Sequence, residues 1–164
     1  MFICNAELCT GCGVCANACP TNCISIGYNQ EGFLVPTIDE TKCLNCKRCV
    51  QTCPVNGEKF KKSTPIMTVR GRSLNKEILM RSSAGCIFSE LTNAVINRGG
   101  MVAGAVLEDD FTVAHMLSSD KTTIQKMCGS KYIGSRIGNV YQQIKQELNN
   151  GRWVLFSGTP CQVA

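Results

Sequence analysis

The sequence predicts an α+β chain in two unequal parts. A small cysteine-built domain takes residues 1–62, and an incomplete α/β domain with a mixed sheet takes residues 63–164. Three observations predict this. Eight of the 13 cysteines fall in two near-identical runs within residues 9–53. A polar, lysine-rich stretch from Asn56 to Pro65 follows them and reads as a linker. Beyond it the cysteine density collapses and ordinary strand and helix patterns begin.

The first run carries Cys9, Cys12, Cys15 and Cys19 followed by Pro20; the second carries Cys43, Cys46, Cys49 and Cys53 followed by Pro54. Both read C-x₂-C-x₂-C-x₃-C-P, the ligand run of bacterial two-cluster ferredoxins, in which the fourth cysteine of each run ligates the other cluster. The expected 4Fe–4S ligand sets are therefore Cys9, Cys12, Cys15 and Cys53 for one cubane, and Cys43, Cys46, Cys49 and Cys19 for the other. Three thiols two residues apart let a short curled loop reach three corners of one cubane. The proline, lacking an N–H and fixed in φ, stops the curl. Gly11 and Gly13 are expected to let backbone amides approach the sulfurs. Zinc would pair two C-x₂-C units without a third cysteine in phase. An odd number of cysteines with no secretory leader fits a disulfide framework poorly.

A hydrophobic content of 44% without a run of membrane-spanning length predicts a soluble chain, and the start Met1-Phe2-Ile3-Cys4 points to the cytoplasm. The formal charge of +5 counts the cysteines as neutral. Two oxidised clusters of about −2 each would bring it to roughly +1. Nucleic-acid binding is not expected, since the one basic candidate, Lys59, Lys61 and Lys62, is short and linker-like.

Between the runs, Ile24 to Tyr28 alternates as a strand, Asn29 to Gly32 turns, and Phe33 to Ile38 returns. So small a unit buries little apolar surface, so the cubanes are expected to serve as much of its core. Lys47 and Arg48 lie inside the second loop only. As nearby cations they would raise the potential of that cluster, unless solvent screens them.

In the second part, Ile66–Val69 reads as a strand and Leu74 to Met80 as a short helix. A longer helix with Ile87, Phe88, Leu91, Ala94 and Val95 on its apolar face ends at Gly99-Gly100. Met101 to Leu107 is a continuous apolar run, hence a buried strand, and Phe111 to Leu117 returns after an acidic turn. Val140, Tyr141, Ile144 and Leu148 mark an amphipathic helix stopped at Asn149-Asn150-Gly151. Trp153 to Phe156 is a last buried strand. Gln162 to Ala164 reads as the opening of a helix, and the expectation is a truncated polypeptide or one completed by a partner.

The cysteine runs together with Arg81–Leu91, Gly99–Ala105, Gly129–Tyr132 and Leu155–Gln162 resemble the coenzyme F-420 hydrogenase/dehydrogenase beta-subunit family over nearly the whole chain. The resemblance implies an iron–sulfur flavoprotein with FAD in the second domain, exchanging hydride with deazaflavin or another acceptor. Ala84 and Cys86 interrupt the family's serine–glycine pattern before the first helix. The tentative flavin residues are Ser82, Ser83, Lys131, Tyr132, Ser135 and Cys161. Ser82 and Ser83 at a helix start would offer hydroxyl and N–H groups to a phosphate, or be simple N-caps. Lys131 would stabilise a reduced flavin anion or be a surface lysine, with Tyr132 beside it. Ser135 would add a phosphate or ribose contact, and Cys161 sits at the carboxyl end of a strand, where α/β folds place their sites.

Of the remaining thiols, Cys4 and Cys23 read as packed, Cys86 as a helix-terminal thiol, and Cys128 as unpartnered. His115, mid-strand, reads as structural. The expected function is electron transfer through two 4Fe–4S clusters between a redox partner protein and a flavin domain. A stand-alone ferredoxin-type carrier and an inactive fragment are the alternatives.

Overall fold

The computed structural model describes residues 2–57, 67–80, 82 and 84–164. Ser83, Arg81, Lys59, Lys61, Lys62 and most of the expected linker lie outside the described residues.

The first unit is a two-fold repeat around a hairpin. A 3₁₀ turn at Ala6–Leu8 leads into the first cysteine loop and helix α1 (Val14–Ala18). Strands β1 (Ile24–Tyr28) and β2 (Leu34–Ile38) then pair antiparallel, with Ile24 opposite Ile38 and Tyr28 opposite Leu34. The second cysteine loop leads into α2 (Arg48–Gln51) and a 3₁₀ turn opened by Pro54. Asn56 ends that turn rather than opening a linker. Its amide donates to the Ile3 carbonyl at 2.6 Å and the Val50 carbonyl at 3.1 Å, tying the two ends of the unit together.

The core of this unit is Ile3, Ile24 and six cysteines: Cys4, Cys15, Cys19, Cys23, Cys49 and Cys53. Two aliphatic side chains are too few to drive folding of a segment this long. Cysteine side chains therefore make up most of the buried core of this unit among the described residues.

The second unit is a mixed α/β layer structure. Short α3 (Lys76–Met80) precedes α4 (Ile87–Ile96), β3 (Met101–Leu107), β4 (Val113–Ser118), α5 (Lys121–Met127) and β5 (Ser135–Arg136). Helix α6 (Val140–Asn149), β6 (Val154–Phe156) and α7 (Pro160–Val163) complete it. The sheet order is β5-β4-β3-β6, antiparallel only between β3 and β4.

Strand β3 is covered on both faces, which explains its unbroken apolar run. Val102 and Val106 pack with Ile124 and Met127 of α5 and with Phe88 and Ile96 of α4. Ala103 faces the other way, toward Ile137, Val140, Tyr141 and Ile144 around α6.

Four expectations need correction. Met67–Val69 is exposed and in neither helix nor strand, while Ile66 lies outside the described residues. Phe111 belongs to the turn, at φ 62° and 80% exposed, so the return strand starts at Val113. Ile87 and Leu91 are half exposed, and the buried position of α4 is Thr92. Ser82 is not at the start of α4, because Cys86 is its N-cap, with φ 65°. The helix α5 and the two-residue β5 lack an apolar stripe long enough to announce them. Their signal was Asp120, whose carboxylate accepts from the Thr123 N–H at 2.8 Å as an N-cap.

Candidate metal centre and adjoining cavity

The two cysteine loops have the same backbone path. Gly11 and Gly13 in the first, at φ 67° and 73°, correspond to Asn45 and Lys47 in the second, at φ 51° and 58°. These left-handed positions let each loop curl so that successive thiols face one point. An amide–sulfur bond is present in the second loop, where the Asn45 N–H donates to Cys43 Sγ at 3.4 Å.

The thiols gather around two cavities of nearly equal size. One has Cys9, Cys12, Cys15 and Cys53 in its wall, with Cys4 beside them and ≈ 320 Å³ of atom-free space, open rim included. The other has Cys43, Cys46, Cys49 and Cys19, with Cys23 beside them and ≈ 330 Å³. The fourth cysteine of each run thus stands in the other run's cavity. Among the described residues no three His, Cys, Asp or Glu side chains converge on a point that one metal ion could occupy. Sulfurs spread around a void suit the corners of a cubane instead, and an all-thiol donor set is the one such clusters take.

Without metal, burial raises the pKa of several of these thiols. Burial pushes Cys15 up to about 12. Burial, then Cys53 and Cys9, do the same to Cys4. Burial also raises Cys12 and Cys49. Cys19 differs. Burial pushes it up, but hydrogen bonds with Thr21 and Cys23 outweigh that and bring it down to about 7.

A third, larger cavity of ≈ 1030 Å³ on the same measure lies between the units. Its wall includes His115, Lys131, Ser135, Ser157, Thr159 and Cys161, together with Thr10 and Gly11 of the first cysteine loop. Thr10 and Gly11 also line the cavity of Cys9, Cys12, Cys15 and Cys53, so one two-residue segment separates the two spaces. Of the tentative flavin residues, then, Lys131, Ser135 and Cys161 come together. Ser82 opens onto a neighbouring cavity with Cys86, Ser89 and Cys128. Tyr132 is 94% exposed and lies apart. Ser83 lies outside the described residues.

Several of these side chains have structural partners. The Lys131 ammonium donates to the carbonyls of Lys126, Cys128 and Gly129 at 2.7–3.1 Å, so its three protons cap the C-terminus of α5 and none is left for a ligand. The Cys86 thiol donates to the Ile78 and Ala84 carbonyls, which marks it as structural. Cys161 Sγ lies 3.1 Å from Thr159 Oγ1, and its charge is one of the influences that raise Cys12.

Two residues matter more than the sequence suggested. Gln162 is buried at 7% exposure; its side chain accepts from the Thr159 N–H and donates to Ser135 Oγ at 3.1 Å, while its carbonyl accepts from Tyr141. The Thr159-Pro-Cys-Gln162 capping box was the readable signal. His115 stacks on Phe156 with centroids 5.5 Å apart, and Nε2 pairs with the Ser157 carbonyl at 3.0 Å. That bond makes Nε2 the protonated nitrogen and Nδ1 an acceptor; Nδ1 is buried with no hydrogen-bond partner among the described residues. Burial lowers the pKa of this imidazole, with the Ser157 bond acting weakly the other way.

The two units are joined beside the first loop. The Asn17 amide donates to the Gly138 carbonyl at 2.7 Å, and the Gln142 amide donates to the Asn17 carbonyl at 3.2 Å. Among the described residues no helix is long and apolar enough to cross a membrane.

Residues 8–56 match the model of a 4Fe-4S dicluster domain family, and residues 35–90 match a second model of that description. The chain is 36% identical over 64 residues to an uncharacterized protein of the rpl9-rpl11 intergenic region of Porphyra purpurea, covering 36% of this chain and 81% of that protein. It is 33% identical over 81 residues to an uncharacterized polyferredoxin-like protein of Methanocaldococcus jannaschii, covering 44% of this chain and 46% of that one. It is 38% identical over 52 residues to NADH-quinone oxidoreductase subunit I 2 of Symbiobacterium thermophilum, with coverages of 28% and 22%. The chain thus spans less than half the length of the last two. These matches make the first unit a 4Fe–4S electron-transfer module.

Proposed function

Because residues 8–56 match a 4Fe-4S dicluster domain and the chain belongs to the family of the Porphyra purpurea protein, 81% of which it covers at 36% identity, we propose that it carries electrons between an external redox protein and its own second unit. In this reading Cys9, Cys12, Cys15 and Cys53 hold one cluster, and Cys43, Cys46, Cys49 and Cys19 the other. Such clusters supply one-electron transfer. The observation that carries the reading is the sharing of Thr10 and Gly11 between one thiol-lined cavity and the large cavity of the second unit.

The direction follows from exposure. Cys46, Lys47 and Arg48 are exposed, so an acidic face of a partner finds its closest approach at the second loop. The first loop packs through its buried Gly13 against Ile137 at the entrance to α6, and its Thr10 and Gly11 line the large cavity, so electrons would leave through the Thr10–Gly11 wall. Cys19 and Cys53 bridge the runs and bring the two sites into one compact module.

For the second unit the finer reading is a flavin-dependent oxidoreductase resembling the F-420 hydrogenase/dehydrogenase beta subunits, with FAD in the large cavity and deazaflavin or another hydride acceptor beyond it. Its support is the cavity's size, ≈ 390 Å³ of space open to a water-sized molecule and so within the range of roughly 300–1,000 Å³ for cofactor sites, and its contact with the cysteine loop. The donor set fits only in part, since the Lys131 protons are committed. Anaerobic purification with iron, sulfide and flavin measured together tests both levels. About eight irons per chain supports the ligand sets. Iron without flavin supports the carrier reading, in which the second unit docks a partner.

A further inference from the structure

Each thiol-lined cavity contains a fifth cysteine, and one of these does more than fill space. Cys23 Sγ lies 3.3 Å from Cys19 Sγ, with both residues buried, at 5% and 9% exposure. Cys23 shares the cavity wall with all four members of the second ligand set. Its backbone is fixed independently of the cysteine loops: the Asp39 N–H donates to the Cys23 carbonyl at 2.8 Å, where the hairpin begins. Cys19 itself lies in extended backbone at the end of α1, with φ −76° and ψ 118°. Two sulfurs from differently anchored segments therefore reach the same corner of one cavity.

We propose that Cys23 is an exchangeable ligand of the second cluster, able to take over the iron served by Cys19. The inference rests on the ligand sets of the proposed function. In the exchange the iron–sulfur bond to Cys19 breaks as one to Cys23 forms. The Cys23 proton passes to the Cys19 sulfur across the contact between them. No electron changes hands and the total charge is conserved. An alternative thiol at van der Waals range keeps the fourth iron from being lost whenever the Cys19 bond opens, which gives the more solvent-exposed cluster a built-in repair route.

The test uses the full chain purified without oxygen, with iron and acid-labile sulfide counted per chain and the electron paramagnetic resonance of the reduced protein recorded. Cys19→Ala is expected to keep about eight irons and both cluster signals, whereas Cys19→Ala with Cys23→Ala falls to about four, as does Cys49→Ala. A Cys19→Ala protein with about four irons, or with a three-iron cluster in place of the second cubane, overturns the proposal. Wild-type chain without about eight irons would overturn the ligand sets, and the exchange with them. Should Cys19→Ala fail to accumulate, Cys23→Ala alone decides: its second cluster should yield iron to a chelator several-fold faster than wild type, and an unchanged rate overturns the exchange.

Discussion

A methyl group on Gly13 would stand 2.4 Å from Cγ2 of Ile137, at the entrance to α6. The same methyl would also sit on a backbone with φ 73°. Gly11 is constrained likewise, with the Leu34 carbonyl oxygen 2.7 Å from where its Cβ would be. The equivalent second-loop positions are Asn45 and Lys47, which keep the curl but face solvent. The glycines of the first run thus answer to packing against the rest of the chain rather than to the cysteines alone.

Gly13→Ala should therefore destabilise the protein by more than about 2 kcal/mol, combining left-handed strain of roughly 1–2 kcal/mol with overpacking of similar size. Lys47→Ala, at a position already occupied by a side chain, should be close to neutral. Denaturant unfolding of the two variants checks this, and equal midpoints would show that Ile137 yields freely.

The crossed cavities make a second prediction. Cys53 stands with Cys9, Cys12 and Cys15, so Cys53→Ala should chiefly damage the cluster of the first triplet. About half of the iron should remain, with the signal of the cluster at Cys43, Cys46 and Cys49 intact. Spectra in which the later triplet's cluster is lost instead would reverse the assignment.

The pairing of the runs was legible because cysteine spacing is a local, covalent signal. So were β3 and α6, whose apolar periods are long and bounded by Gly99-Gly100 and Gly151. Less could be read where burial comes from distant neighbours. Lys131 looked free because nothing in Gly-Ser-Lys-Tyr tells that its ammonium turns back onto α5. His115 and Gln162 gained their roles from Ser157 and Ser135, which are remote in sequence. Ser82 resembles a helix start in the sequence because a cysteine rarely takes φ 65°, so that Cys86 carries no sequence signal of the N-cap it forms.

Helix α5 depends on one cap. The Asp120 carboxylate accepts from the Thr123 N–H and from two threonine hydroxyls, and the helix has only seven residues. Asp120→Ala should cost about 0.5–2 kcal/mol. Because Met127 of this helix and Lys131 just beyond it line the large cavity, hydrogen exchange at Ile124 and Met127 should quicken as well. Unchanged exchange would place the stability of α5 entirely in its packing against β3.

His115 gives a pH dependence whose sign is fixed by burial. Its folded pKa lies below the ordinary 6.5, so the unfolded chain binds more protons as pH falls through that value. Its contribution is complete above pH 6.5 and shrinks below it. Denaturant midpoints should therefore fall between pH 7.5 and 5.5, and His115→Gln should flatten part of that slope. A variant with the wild-type slope would assign the dependence to other groups.

The second loop's cations should set its cluster apart electrically. Lys47 and Arg48 are exposed beside the cavity of Cys43, Cys46, Cys49 and Cys19, while the first run carries no charged residue between its cysteines. Reduction adds negative charge, which a nearby cation stabilises, so the second cluster should be the easier to reduce. Water screens both side chains, so replacing them together with glutamine should lower that potential by only on the order of 10–50 mV at low ionic strength, and by less as salt rises. The other cluster, farther from both cations, should hardly move. A redox titration followed by electron paramagnetic resonance resolves the two centres. Equal shifts at both would mean that Lys47 and Arg48 act through the net charge of the module rather than as local partners of one cluster.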